Sequence, residues 1–240
     1  MTGSIINALA ILFGAIVGLI RKSPPSPENQ TFMKLVLGVA TAVVGLRLTW
    51  MSLNGSFLQI LSQLAVVIVA MMLGRLLGKL LRLQKLSNRL GHYARDRIAA
   101  TQKSRRRNPS DAVNVCAALF CAAPLGWLGA TTEALGGGPL VLIVKAVMEA
   151  LAAMGFVMMF GWGVALSALP VLALQGSIAL SVAVLLHPFL ASHGLVDAVN
   201  ATAGLMVFSV SLLVFEVRRV EIADYLPSLA LAPLLTVLLK

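Results

Sequence analysis

Three stretches of this chain hold no Asp, Glu, Lys or Arg in their interiors: Leu48 to Arg75, Ala112 to Thr132 and Ala150 to Val196. About 20 apolar residues cross a 30 Å hydrocarbon core as a helix, so each stretch is long enough for at least one crossing. The whole chain agrees, with 59% of its 240 residues hydrophobic and 12% charged, against about 45 to 50% apolar in soluble domains. Eight crossings would occupy roughly 160 positions and leave no room for a separate soluble domain. The expectation is one all-α integral membrane domain over residues 1–240, with about eight transmembrane helices.

The formal net charge of +10 could suggest nucleic acid, but it sits in one place. Residues Arg75 to Arg107 carry eleven Lys or Arg and one acid, Asp96, and the rest of the chain is neutral. A basic block beside a hydrophobic span is what the positive-inside bias produces, so residues 82–109 read as a cytoplasmic loop within the membrane domain. Anionic lipid is a secondary partner for this block. Nucleic acid is not expected, because no folded module presents the charge.

The expected segments are Gly3–Ile20, Phe32–Trp50, Phe57–Leu81, Asp111 to before Glu133, Leu140–Phe160, Gly161–Leu190, Val196–Val217 and Tyr225–Leu239. Ser23 to Pro27 reads as a loop, and Asp111 as part of an N-cap region. The basic loop is expected to hold an interfacial helix through Leu83, Leu86, Leu90 and Tyr93. The sixth segment is too long for one straight crossing, with interruptions expected at Pro170 and at Gln175-Gly176-Ser177. With the basic loop inside, Arg21, Lys22, Arg218 and Arg219 also fall inside and both termini outside. Met1-Thr2-Gly3-Ser4 lacks the basic start of a signal peptide, so the first hydrophobic segment is expected to stay in the mature protein.

Ser167 to Leu172 can be laid on Asn7 to Leu12, and Gly204 and Ser211 on Gly38 and Gly45. Segments one to three and six to eight would then form an inverted repeat, with segments four and five between. Transporter folds of this kind hold their substrates near mid-membrane, where the repeats meet. Gly14 with Gly18, Gly74 with Gly78, and Gly155 near Gly163 read as small-residue rows for close helix packing. Self-association through such faces is a further expected partner mode.

Polar groups inside the membrane are costly unless paired. Lys145 and Glu149 stand one helical turn apart on segment five, with Glu149 near mid-depth. They read either as an ion pair that fixes packing or as a substrate or proton site. Asn7, Ser167 and Gln175 lie on the two repeat-related segments, as interhelical hydrogen bonds or as site lining. The candidate substrate-binding set is therefore Asn7, Lys145, Glu149, Ser167 and Gln175. Lys34 and Arg47 lie near segment ends and read as snorkelling, and Glu216 as pairing at the cytoplasmic surface beside Arg218 and Arg219.

Cys116 and Cys121 are five apart, off a common helical face, and read as small buried residues. His92, His187 and His193 are scattered. No nucleophile elbow, phosphate loop or zinc spacing occurs, so neither an enzyme, a cofactor nor a metal is expected.

Five features together carry a resemblance: Gly3 with Asn7, Gly14 and Gly18; Leu119-Phe120-Cys121; Lys145 with an acid four residues on; Ser167-Ala168-Leu169-Pro170 followed by Gln175-Gly176; and Leu226-Pro227. The chain resembles, over nearly its whole length, the bacterial inner-membrane family of unknown function that includes YqgA and YdfK, domain of unknown function 554. Glu149 stands where that family more often has Asp, and Ala122 to Gly129 departs from its small-residue pattern. The resemblance implies a multi-spanning protein of the bacterial inner membrane and of transport type, and brings no substrate. The leading expectation is a secondary transporter or channel for a small molecule or ion, with an anion suggested by Lys145. The alternative is a non-transporting scaffold or assembly partner whose basic loop binds lipid or a cytoplasmic protein.

Overall fold

The computed structural model describes residues 1–21, 26–104, 108–218 and 220–239, without the side chains of 102–104. Lys22, Arg105, Arg106, Arg107 and Arg219, and the Lys103 side chain, lie outside the described residues, as do positions 23–25 of the expected loop. Every regular element among the described residues is helical: α1 (Thr2–Ile20), α2 (Pro27–Met51), α3 (Phe57–Leu80), α4 (Leu83–Ser104), α5 (Pro109–Ala122), α6 (Pro124–Ala134) and α7 (Leu140–Phe160) come first. A 3-10 turn (Trp162–Ser167), α8 (Ala168–Ser181), a π turn (Val182–Leu186), α9 (His187–Ser192), α10 (Val196–Val214), a second 3-10 turn (Ile222–Tyr225) and α11 (Ser228–Leu238) follow.

The chain is thus an all-α membrane protein. By length and apolarity six helical stretches can cross a bilayer, or seven if α5 and α6 count as one bent span. The eighth expected segment is the shorter stretch Ile222–Leu238. Its helix α11 alone rises about 16 Å at 1.5 Å per residue, well short of the hydrocarbon core.

Small residues set the helix pairing. A Cβ at Gly14 or Gly18 would strike the backbone of Ala150 or Met154, so α1 lies directly along α7, running in the same direction. Gly38 faces Phe215 and Gly45 faces Phe208, which packs α2 antiparallel to α10. Gly74 faces Ser228 and Gly78 faces Asp224, which packs α3 antiparallel to α11. Gly163 sits on Pro109 and Ala112, at the end where α7 finishes. Gly155 meets nothing and takes no part in such packing.

At one end, hereafter the basic face, α4 packs against α5, the end of α3 and the second 3-10 turn. Ala94 and Ile98 of α4 join the core cluster shared with α5 and α7, as its amphipathic spacing predicts. Gln84 locks the start of α4 to the second 3-10 turn: its N–H donates to Asp224 Oδ1 at 2.8 Å, and its Oε1 accepts from the Ala223 N–H at 3.2 Å. Arg97 reaches Asp111 at 3.7 Å. The N-cap of α5 is Asn108, whose side chain accepts from the Ser110 N–H at 3.2 Å, and Asp111 takes a place in the first turn.

Three local expectations differ from the structure. Ser26 and Pro27 are not loop but the N-cap and first residue of α2, where proline's missing N–H costs no bond. Gln175 to Ser177 do not interrupt α8, which runs unbroken from Ala168 to Ser181 with Pro170 in its first turn, where the N–H groups have no intrahelical partner. The loosened turn comes instead at Val182–Leu186, just before Pro188, whose ring cannot pack under a regular preceding turn. Lys34, expected to snorkel, instead pairs with Glu216 at 2.7 Å across the ends of α2 and α10.

Candidate functional site

α7 supplies the charged pair. It starts after the glycine turn ending at Pro139 and stops at Gly161, whose φ of +80° suits glycine. Lys145 and Glu149 project from one face of this helix toward the bundle interior and are 2 and 5% exposed. The ammonium of Lys145 donates to Glu149 Oε1. The other carboxylate oxygen, Oε2, accepts from Asn7 Nδ2 at 2.8 Å, and the same amide donates to Gln175 Oε1 at 3.2 Å.

Four of the five predicted residues, Asn7, Lys145, Glu149 and Gln175, therefore meet in one buried cluster contributed by α1, α7 and α8. Their meeting depends on the glycine contact of α1 with α7, which sets the two backbones close enough for a short amide to reach a carboxylate. Gly126 of α6 closes a further side, where a Cβ would press on Lys145 Cε and Gln175 Nε2. Ser167 lies apart: it ends the 3-10 turn and donates to the Val164 carbonyl at 2.7 Å. Its hydroxyl is spent locally, as Ser commonly does in helical turns.

The cluster is neutral as a whole, one ammonium against one carboxylate. Asn7 Oδ1 is wholly buried and accepts nothing. A cavity of about 250 Å³ runs from Gln84 and Ser87 of α4, past Pro124 and Met148, to Lys145 and Glu149. It therefore joins the pair to the basic face. Its wall is opened by the break between α5 and α6, a bend of 58° at Ala123 and Pro124. Proline removes the N–H that would continue α5, and the freed end is partly satisfied by Trp127 Nε1, which donates to the Cys121 carbonyl at 3.2 Å. A larger groove of about 760 Å³ lies at the opposite face between α3 and the start of α10, and none of the five predicted residues lines it.

A second polar group, which sequence reading passed over, lies one turn before Asn7, at the N-terminal start of α1. Glu133, at the end of α6, accepts from the Gly3 N–H at 2.8 Å and lies 3.1 Å from the Met1 amino group. Ser4, wholly buried, and the second Glu133 oxygen have no hydrogen-bond partner. The available signals were Pro124 in the middle of a span and a serine one turn before Asn7. Cys116 and Cys121 are free thiols, the first buried and the second partly so. Among the described residues no group of three His, Cys, Asp or Glu could hold a metal ion.

A family described as protein of unknown function (DUF554) matches residues 2–237. The chain belongs to this family. Among its relatives, the chain is 26% identical over 233 residues to the uncharacterized membrane protein YdfK of Bacillus subtilis (strain 168), covering 97% of this chain and 94% of that one. It is 27% identical over 232 residues to the uncharacterized protein YqgA of Escherichia coli (strain K12), covering 96% and 94%. No solved structure matches the chain.

Proposed function

We propose that this family member is a secondary transporter or channel for a small solute, foremost an anion, with Asn7, Lys145, Glu149 and Gln175 as its binding site. The observation that carries this reading is the meeting of a buried ion pair with a cavity open toward one face. A pair that only fixed packing needs no path to either face, whereas a binding site does. At about 250 Å³ the cavity is below the usual 300 to 1,000 Å³ of drug-sized ligand sites, which favours a small solute.

In this reading the protein lies in the bacterial inner membrane with its basic face cytoplasmic and both termini periplasmic, following the positive-inside bias. Helices α1 to α3 and α8 to α11 act as the two inverted halves. The antiparallel pairings of α2 with α10 and α3 with α11 support that assignment. The described state then faces the cytoplasm.

The test is thermal stability of the purified protein in detergent against small anions, carboxylates, amino acids and cations, beside the Lys145→Ala, Glu149→Gln double variant. A ligand at a hundred times its dissociation constant adds about 2.7 kcal/mol to the folded state. A stabilising solute lost in the variant supports the site, and a stable variant with no response in either protein removes it. The second reading, a scaffold, draws on α4, which presents Lys85, Arg89 and Arg95 outward at the basic face. It requires that deleting residues 102–107 damage function more than neutralising Lys145 does.

A further inference from the structure

We propose that the transported solute is a monovalent anion that moves with one proton, and that this proton reaches Glu149 along a file formed by Glu133, Ser4 and Asn7. The inference rests on the transport reading above.

The first argument is charge. Empty, the site holds one ammonium and one carboxylate, both buried, and is neutral. A monovalent anion entering alone would leave a net negative charge out of water, which is costly. A proton bound to Glu149 removes that excess. The O–H bond forms at Oε2, the oxygen on the Asn7 side, and the Asn7 amide turns so that its unpartnered Oδ1 accepts from it; the Lys145 ammonium swings from Oε1 to the anion, and the site is neutral again. The other groups beside the pair, Asn7, Gln175 and the Cys121 thiol, are uncharged and supply no alternative counter-charge.

The second argument is the route. Three of the buried oxygens without partners lie along the start of α1: Ser4 Oγ and Asn7 Oδ1 on α1 itself, and Oε2 of Glu133, which the end of α6 sets against Gly3. Glu133 is bonded to the N–H of Gly3, Ser4 comes next, and Asn7 is one turn further on the same face as Ser4. From Gly3 to Asn7 the helix rises only about 6 Å, a gap that one or two water molecules span. Asn7 holds Glu149 Oε2 in place, and the last water of the file, beside Asn7 Oδ1, passes the proton to that oxygen. Buried polar atoms of this kind are ordinarily held by ordered water, and a file of water between two carboxylates conducts protons. The only charged group facing Glu133 among the described residues is the Met1 amino group, which lies at the outer mouth of the file. A proton is taken from water at that face and handed through the file to Glu149. Anion and proton leave together by the cavity at the basic face.

The test uses the full-length protein in liposomes enclosing a pH-sensitive dye, with chloride, nitrate, methanesulfonate and glutamate added outside in turn. Near neutral pH all four are almost wholly ionised, so negligible acid crosses the bilayer in neutral form. We expect at least one of them to acidify the lumen, with one proton entering per labelled anion. Glu133→Gln keeps the acceptor for the Gly3 N–H and is expected to cut that acidification at least about a hundredfold, the low end of what a lost proton-transfer group costs. Exchange of labelled for unlabelled anion, which needs no net proton movement, should fall far less. Ser4→Ala should lower acidification in the same selective way, and residual exchange certifies folding in both variants. Exchange without acidification in the wild type, or wild-type acidification in Glu133→Gln, overturns the proton file and leaves transport standing. Neither exchange nor acidification with any of the four anions overturns both.

Discussion

Asn7 of α1 and Glu149 of α7 stand 142 residues apart in sequence and 2.8 Å apart in space, the amide Nδ2 donating to carboxylate Oε2. With the Lys145 ammonium on the other oxygen, Asn7 completes the satisfaction of a charge buried among apolar helices. Replacing Asn7 by Ala strips one carboxylate oxygen and Gln175 Oε1 of their donor together. A buried acceptor left without a partner costs about 1 to 3 kcal/mol, and more when charged. We expect Asn7→Ala to lower the melting temperature in detergent clearly, and Asn7→Asp, which sets a second carboxylate against the first, to lower it further. A melting curve unchanged in both would show that the cluster holds nothing together.

Lys145 and Glu149 allow a sharper test of the pair. Breaking one buried partner leaves an uncompensated charge, at about 3 to 5 kcal/mol, whereas removing both is often nearly neutral. Lys145→Ala alone should therefore fold poorly, and the Lys145→Ala, Glu149→Gln double variant should recover most of the loss. The double variant should still fail to transport. Chemical or thermal denaturation of Lys145→Ala, Glu149→Gln and the double variant, read against the wild type as a double-mutant cycle, gives the coupling directly.

The glycine rows divide into contacts and bystanders. Gly14→Ala drives a methyl into the Ala150 backbone, whereas Gly155→Ala meets nothing. The first should destabilise by at least about 1 to 3 kcal/mol, as overpacking does, and loosen the Asn7 to Glu149 bond with it. The second should stabilise α7 by roughly 0.5 to 1 kcal/mol, the usual gain of alanine over glycine inside a helix. Equal melting temperatures for the two variants would contradict the packing described.

That contrast also marks how far the sequence could be read. Segment five was legible to the residue, Leu140–Phe160, because a glycine turn and Gly161 punctuate it in sequence. Asn7, Lys145, Glu149 and Gln175 were legible as polar residues in apolar helices, where hydrocarbon makes an unpaired group expensive. Ser167 looked equivalent to them, but a short hydroxyl can satisfy itself on the preceding turn, and it does so on Val164. Gly155 and Gly14 were indistinguishable, since what a glycine faces is decided by the neighbouring helix. Glu133 and Ser4 matter only through the placement of α6 against α1, a long-range contact that local patterns do not carry.

Outside the membrane, Lys34 and Glu216 tie the end of α10 to α2 at 2.7 Å. The hydrogen bond and charge of Lys34 hold the Glu216 carboxyl below its ordinary value. A depressed carboxyl contributes stability above its unfolded pKa and loses it as pH falls through the lower folded value. The contribution should therefore fade on acidification from about pH 5 downward. Because both side chains are exposed, the effect on melting should be slight. In Lys34→Gln the Glu216 carboxyl, followed by NMR on selectively labelled protein, should titrate at its ordinary value.

Pro124 links the fold to access. It ends α5, produces the 58° bend with α6 and lines the cavity beside Met148, Lys145 and Glu149. A proline inside a helix costs about 3 kcal/mol, so its removal lets α5 and α6 approach one continuous helix across the same wall. A Met148→Cys variant, made in a background lacking Cys116 and Cys121, should react with a charged thiol reagent applied from the basic face. Adding Pro124→Ala should slow that reaction strongly and lower transport with it, while a bilayer-permeant thiol reagent still labels the protein. Unchanged access to Met148→Cys after Pro124→Ala would mean that the bend does not open the path, and that the Lys145 and Glu149 pair is reached some other way.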